Sequence, residues 1–571
     1  HKNIQTMKKL MIASAVLFSA MSASAQWTGT QDGEKPMFTT ERDYPATQMA
    51  TSPTGVTWHL LNEIRNIDDH LTEIYMCQGY DETGKTIMGE NPADLSTYPY
   101  QSWTMVNNNI FTDSKGNAIM AVQDRRLGDE LHQATVYKIS PTGEMLWGKD
   151  GVRLTGDIRT NMLYAFTGCE LSDGSYVFAW ANTQSEYVDP YSSITDINVV
   201  RVLEDGTLAW EPGTVKLTDS RTPYTHPFLI PAKNTQFNLV YAEGSNQTVM
   251  VMKYDFDGSP VWAEPVEVYN GGWGSTPMWT KCEAKPSGDG GVLFAWYDDR
   301  YFTNYEDAYL AYITPKGELG FNQRNGLRLD YTEGTRDLGV SVTYDKTTDS
   351  FLAFIRSANG SQSRYTMRAQ RISKSGDLLW GEEAIVVDEK ANGAISYATA
   401  VCGEDGRVAF FYQMANDAAG REVNNLVAYY DVLTGKSIWE KPLRFGKANT
   451  PKSDLQVGSC GSFWTASWMG GAWIPDASAS GGGYYSSSHG NINSQRINFD
   501  GTFGCAEDAI DDVKGKSSSP ITVNGGTITS ASDTQVYDTN GRLVGKGKSI
   551  SLPAGIYTAV SGSESRKIVI Q

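Results

Sequence analysis

Arg201-Val-Leu-Glu-Asp-Gly206-Thr-Leu-Ala-Trp210 sets the architecture. An apolar strand runs into an Asp-Gly turn, and a large side chain follows four positions after the glycine. Asp-Gly between two apolar runs is a hairpin signal, because glycine takes the positive φ such a turn needs. The phrase recurs with turn glycines at Gly84, Gly143, Gly206, Gly258, Gly317, Gly376, Gly435 and Gly501, spaced 59, 63, 52, 59, 59, 59 and 66 residues apart. Four residues later stand Met88, Trp147, Trp210, Trp262, Phe321, Trp380, Trp439 and Cys505. A fixed period near 60 with all-β punctuation marks a radial repeat.

Each repeat reads as four strands. In residues 160–215 these lie near Leu163–Leu171, Tyr176–Trp180, Ile197–Val202 and Leu208–Trp210. The second strand is a continuous apolar run in most copies, as in Val292-Leu-Phe-Ala-Trp296 and Val408-Ala-Phe-Phe-Tyr412. Such a strand is covered on both faces. Blades of a β-propeller meet this condition, since each packs between two neighbours. The spacing predicts an all-β chain with an eight-bladed propeller over residues 37–507, or seven blades if the first and last units share one. The aromatic after each turn is expected to anchor one blade on the next, burial of a large ring contributing about 2–3 kcal/mol.

The chain has 571 residues and a formal net charge of −18, with 20% charged residues. That length exceeds one ordinary core. The acidity argues against nucleic acid or an anionic membrane as partner, because phosphate binding needs a cationic field. Residues 1–25 read as a leader and signal peptide: Lys8 and Lys9, then apolar Leu10–Met21, then Ala23-Ser24-Ala25, which predicts cleavage after Ala25 and export. No later stretch is long and apolar enough for a membrane helix, so no membrane insertion is expected. Six cysteines make no disulfide scaffold in a chain of this length. Cys169, Cys282, Cys402 and Cys460 each sit just before a first turn and read as small buried side chains.

Ala295-Trp-Tyr-Asp-Asp-Arg300 followed by Pro315-Lys-Gly317, and Arg368-Ala-Gln-Arg-Ile-Ser-Lys-Ser-Gly-Asp-Leu-Leu-Trp-Gly381, resemble a repeat of secreted, surface-displayed bacterial proteins. That resemblance implies propeller blades without a shared activity. After a polar linker at residues 508–519, residues 520–571 read as short alternating strands between Asn-Gly, Pro-Ala-Gly and Ser-Gly turns, a small β-sandwich. Val536-Tyr537-Asp-Thr-Asn-Gly541-Arg542-Leu-Val, Leu552-Pro553-Ala-Gly555-Ile-Tyr557 and Lys567-Ile-Val-Ile570 resemble the C-terminal sorting domain of the type IX secretion system. The resemblance implies type IX machinery as a partner. It also implies passage across the outer membrane of a Gram-negative bacterium, and surface attachment or release once the domain is removed.

The six histidines fall in no metal-ligand spacing, and no His-Glu-x-x-His, nucleophile elbow or phosphate loop is present. No metal or cofactor is expected. The Asp-Gly turns resemble the sialidase Asp box, but there the aromatic follows more closely and a serine usually precedes. A glycosidase needs only two carboxylates, so 66 acidic residues leave a hydrolase open.

Long loops follow the second and fourth strands, and short turns follow the first and third, so one propeller face carries all the long loops. That face is where binding residues are expected. The candidates are Asp298, Asp299 and Arg300, a possible cation or sugar site or a local salt bridge, and the loop aromatics Tyr187, Tyr191, Trp273, Tyr301, Tyr305, Trp473, Tyr484 and Tyr485. Exposed rings suit glycan stacking or protein contacts. Three readings follow: a surface binding or adhesion propeller for glycan or protein, ranked first; a secreted carbohydrate-active hydrolase with a carboxylate pair; and an envelope structural component.

Overall fold

A computed structural model describes residues 26–570 apart from 38–45, 68–69, 96–108, 125, 127–132, 157–161, 184–194, 219–221, 271–281, 322, 392–393, 404, 417–420, 476–482, 487–490, 506–520, 525, 539–541 and 562–563. The chain is all-β and divides into two compact units, residues 1–505 and 506–571.

In the first unit the described residues form eight antiparallel ladders of four or five strands, one per repeat. Their first strands are Ala46–Thr51, Asn109–Thr112, Met162–Glu170, Tyr224–Pro231, Glu283–Pro286, Thr335–Asp345, Ala394–Cys402 and Lys452–Ser459, heading blades 1 to 8. Each first strand touches the next, and that of blade 8 touches that of blade 1, so the ring closes. Side chains stitch these innermost strands together. Leu229 N donates to Thr167 Oγ1 at 3.1 Å, Val342 N to Glu283 Oε2 at 2.7 Å, Ala400 N to Ser341 Oγ at 3.2 Å and Met49 N to Gln456 Oε1 at 2.7 Å. Toward its start, the first strand is bulged in blades 3, 4, 6, 7 and 8. Three bulges hold a non-glycine residue at positive φ: Ala165, His226 and Asp454.

The periodic glycine and the aromatic after it are two halves of one contact. Gly206 has φ +91°, and a Cβ there would lie 2.8 Å from the Trp147 ring of the preceding blade. Gly317 stands in the same way against Trp262, Gly376 against Phe321 and Gly435 against Trp380. The indole and a cation of the same blade grip the backbone of the following turn. Trp147 Nε1 donates to Glu204 O at 3.0 Å and Lys138 Nζ to the same oxygen at 3.4 Å. Trp210 Nε1 and Arg201 Nη1 both donate to Phe256 O at 3.2 Å. Lys253 Nζ donates to Pro315 O at 2.7 Å and stands over the Trp262 ring. This grip supplies the turn carbonyls with donors and fixes the blade spacing.

The eighth repeat has Cys505 in the aromatic slot, and its partner comes from the other end of the ring. Lys35–Pro36 pairs with Ile492–Asn498 as the outer strand of blade 8. Trp27 N donates to Thr83 O at 2.9 Å, and the Trp27 ring lies against Gly84 of blade 1. Lys35 Nζ, over the rings of Trp27 and Tyr80, donates to Gly84 O. The segment thus sets a ring and a cation on Gly84, while the turn carbonyl equivalent to Glu204 O is held from blade 8 itself, Arg496 Nη1 donating to Glu82 O at 2.9 Å and Cys505 Sγ at 3.5 Å. The propeller therefore begins ahead of the expected boundary at residue 37. The first and last repeats do not share a blade, since each has its own ladder.

None of the six cysteines is in a disulfide. Cys77 and Cys169 are buried, while Cys282, Cys402 and Cys460 are half-buried.

In the second unit the strands are linked through one long strand, Thr527–Asp538, which pairs with three others. The unit's described strands, Ile521–Asn524, Thr527–Asp538, Leu543–Ser551, Gly555–Ser561 and Glu564–Ile570, form a single five-stranded sheet. The strand breaks expected near residues 530–533 and 545–548 are irregularities within two long strands. One apolar cluster, including Ile528, Val536, Ile550, Tyr557 and Ile568, serves this sheet. Gly555 has a local cause: Tyr557 folds back over it, donating its hydroxyl to Pro553 O at 3.0 Å, and a Cβ on Gly555 would sit 2.9 Å from that hydroxyl. Arg542 N donates to Asp538 Oδ1 at 2.9 Å across the preceding turn, and Tyr537 to Gln535 Oε1 at 2.6 Å. Gly541 and the linker lie outside the described residues.

Candidate functional site

The loops after second and fourth strands emerge on one face of the ring, and in blade 5 they are described throughout. Asp298 ends the second strand of that blade, Val292–Asp298. Its side chain is buried and occupied: Oδ2 accepts from Trp296 Nε1 at 2.7 Å and Arg300 Nη2 at 2.7 Å, and Oδ1 from Arg300 Nε at 2.8 Å. The Arg300 guanidinium stacks on Tyr309, 3.5 Å from the ring centroid, and its Nη1 donates to Asn325 O at 2.9 Å ahead of the outer strand. Blade 1 repeats the device, with Arg65 bonded to Glu63 at 2.6 Å and to Asp94 of its outer strand at 2.6 Å. Blade 2 does so in part, as Arg126 Nη1 donates to Asp150 O at 2.8 Å. An arginine at the end of the second strand, within it in blade 1 and two residues past it in blades 2 and 5, therefore pins the outer strand of its own blade. Asp298 and Arg300 form the local salt bridge that the sequence offered as one alternative.

Asp299 has a different task. Its Oδ1 accepts from Thr303 N and its Oδ2 from Asn304 N, each at 2.8 Å. This Asx-type turn braces a loop in which Tyr301 is 70% exposed, Phe302 68% and Tyr305 43%. Phe302 and Asn304 both take positive φ, 54° and 59°. Phe302 was not among the expected residues, and only its place between two tyrosine positions of an eight-residue loop pointed to it. The Tyr305 hydroxyl closes on Gly360 of blade 6, so the two loops adjoin.

The carboxylates around this loop are engaged. Glu306 pairs with Arg336 in a bidentate bridge of 2.6 and 2.7 Å, and Asp307 pairs with Arg328 at 2.8 Å. Asp330 is buried, accepts from Ala384 N at 3.1 Å and lies 3.5 Å from Arg368 Nε. Asp337 is buried between blades 5 and 6, accepting from Ala308 N at 2.9 Å and Ser357 Oγ at 2.7 Å. Burial, with Asp330 and Asp307 nearby, pushes its carboxyl up to about 7. These carboxylates tie blades and strands together, and among the described residues they offer no exposed acid–base pair of the kind a glycosidase requires.

Tyr187, Tyr191 and Trp273 lie outside the described residues, as do the side chains of Trp473, Tyr484 and Tyr485. The backbone carrying the last three forms a hairpin, Ala472–Pro475 with Gly483–Ser486, inside the expected loop of blade 8. No three His, Cys, Asp or Glu side chains converge as a metal site among the described residues.

No family model and no curated protein matches the chain. Among solved structures, the Dos1 propeller is 10% identical, over 82% of this chain and 95% of that one, with a TM-score of 0.42. The polysaccharide lyase Uly1 is 10% identical, over 70% and 92% of the two chains, with a TM-score of 0.40. A protein from Dyadobacter fermentans DSM 18053 is 13% identical, over 58% and 93%, with a TM-score of 0.32.

Proposed function

We propose that the chain is a surface-displayed or secreted binding propeller that takes a glycan on its long-loop face, at the adjoining loops of blades 5 and 6. The observation that carries this reading is the braced cluster of Tyr301, Phe302 and Tyr305, three solvent-facing rings on one loop. Stray exposed rings need no function, but a cluster whose backbone is pinned by Asp299 presents a preorganised stacking surface. Binding ranks ahead of hydrolysis because the neighbouring carboxylates are already paired with arginines or buried. A glycan-array screen of the protein, repeated with Tyr301→Ala and Phe302→Ala, tests it. Wild-type binding that both variants weaken supports the reading, whereas binding unchanged in both, or captured protein without any glycan signal, overturns it.

The delivery route belongs to the same proposal. The signal peptide ending at Ala25 exports the chain, and residues 520–571 act as the handle read by type IX machinery. Deleting residues 520–571 is expected to leave the protein in the periplasm. Normal surface delivery of the shortened chain refutes the handle.

A further inference from the structure

Arg356 lies near the end of the second strand of blade 6, Ser350–Asn359, opposite the bulge in the first strand. Its guanidinium is half-buried at the long-loop end of the seam between blades 6 and 7. Nη2 donates to Leu338 O at 2.6 Å, a carbonyl turned out by the bulge, and Nη1 to Ile395 O at 3.3 Å on the first strand of blade 7. Nε is buried without a hydrogen-bond partner.

The neighbouring arginines of blades 5 and 6 have carboxylates: Arg300 has Asp298, Arg328 has Asp307, Arg336 has Glu306 and Arg368 has Asp330. Arg356 has none. The ionisable groups whose fields reach it are the phenols of Tyr297 and Tyr365, and burial holds its pKa below the usual arginine value. An arginine stays charged in a protein, and a half-buried charge held only by carbonyls is incompletely compensated. Nε is closed off from solvent, but Nη1 and Nη2 each keep a second N–H beyond the carbonyl bonds, and a carboxylate or sulfate accepts such a pair. Tyr297 occupies in blade 5 the register that Arg356 occupies in blade 6, so the position faces the same zone of the ring in both.

We propose that Arg356 is the counter-charge for an anionic group of the ligand, so that the long-loop face takes an acidic glycan bearing carboxylate or sulfate. The glycan class rests on the reading of the Tyr301–Tyr305 loop given above, while the anion site rests on Arg356 itself. The protein's net charge of −18 repels a dense polyanion at long range. Sparse anionic groups on a sugar chain reach the guanidinium within a screening length of about 8 Å at physiological salt.

Calorimetric titrations of the full chain with oligogalacturonate, a sulfated galacto-oligosaccharide and neutral galacto-oligosaccharide test the idea. One or both charged ligands should bind more tightly than the neutral one, and which of them does identifies the anion. Arg356→Gln should weaken the charged ligand at least about tenfold, leave the neutral one unchanged, and lose the difference between them. Should Arg356→Gln fail to fold, the wild type still decides, since the charged ligand must raise its melting temperature more than the neutral one. Neutral and charged glycans binding alike overturns the anion site but leaves the aromatic surface standing. Binding of no glycan at all overturns both.

Discussion

The indole of Trp147 lies on the turn glycine Gly206 of the next blade and donates to Glu204 O at 3.0 Å, so a period in the chain is a contact in the ring. Gly206→Ala must place a methyl 2.8 Å from that ring at φ +91°. A loss of about 2–4 kcal/mol is expected from clash and backbone strain together. Urea unfolding of the variant beside wild type checks it, and a change below about 0.5 kcal/mol means the turn is not held as described.

Trp380 occupies the same slot but is only half-buried, and its Nε1 has no hydrogen-bond partner. Trp380→Ala should therefore cost about 1.5–3 kcal/mol, less than the 3–5 typical of a fully buried tryptophan. Trp147→Ala, which also removes the bond to Glu204 O, should cost more. The order of the two melting temperatures is the measurement.

Tyr301→Ala and Phe302→Ala should each shift stability by less than about 0.5 kcal/mol, because both rings are mostly exposed. Asp299→Ala should do more, since it removes the acceptors for Thr303 N and Asn304 N. Thermal melts of the three variants separate the ring-bearing positions from the brace.

Asp337 gives a pH signature. Its carboxyl is raised to about 7 in the folded protein, above its value of about 3.9 in an unfolded chain. The folded state thus binds the extra proton between these values. The associated stability is fully present below about pH 4 and is lost as pH rises through 7. Asp337→Asn should flatten this fall and be relatively more stable above pH 7, by an amount on the order of 1–3 kcal/mol. Unfolding curves for both proteins from pH 5 to 8.5 check the sign. A wild type that gains on the variant as pH rises contradicts the assignment.

Much of the ring was legible because its contacts are periodic. A glycine needed at positive φ and an aromatic four residues on mark each blade seam, and both are visible in one dimension. Aperiodic partners were not. Trp27 stands ahead of the first repeat, and nothing local shows that it fills the slot vacated at Cys505. Asp298-Asp299-Arg300 read as one candidate site, but alternate residues point to different tasks. Asp298 and Arg300 hold the outer strand, and Asp299 holds the loop. Arg356 carries no motif at all. Its interest lies in a missing carboxylate, which only the packing of blades 6 and 7 discloses. In the tail, Ser530 to Asp533 looked like a strand break yet continues the strand, since an irregular register absorbs the polar residues.

The strand Lys35–Pro36 also has a meaning in time. Its partner, Ile492–Asn498, is made last among the propeller strands. Until then blade 8 lacks its outer strand, and Trp27 and Lys35 act on a ring that is still open. The pairing spans almost the whole propeller and forms late, because distant contacts cost the most chain entropy. A propeller interrupted anywhere before blade 8 leaves an unpaired strand and an uncovered seam, a form recognisable to proteases and chaperones. The clasp thus reports completeness: the ring locks only when every blade is in place.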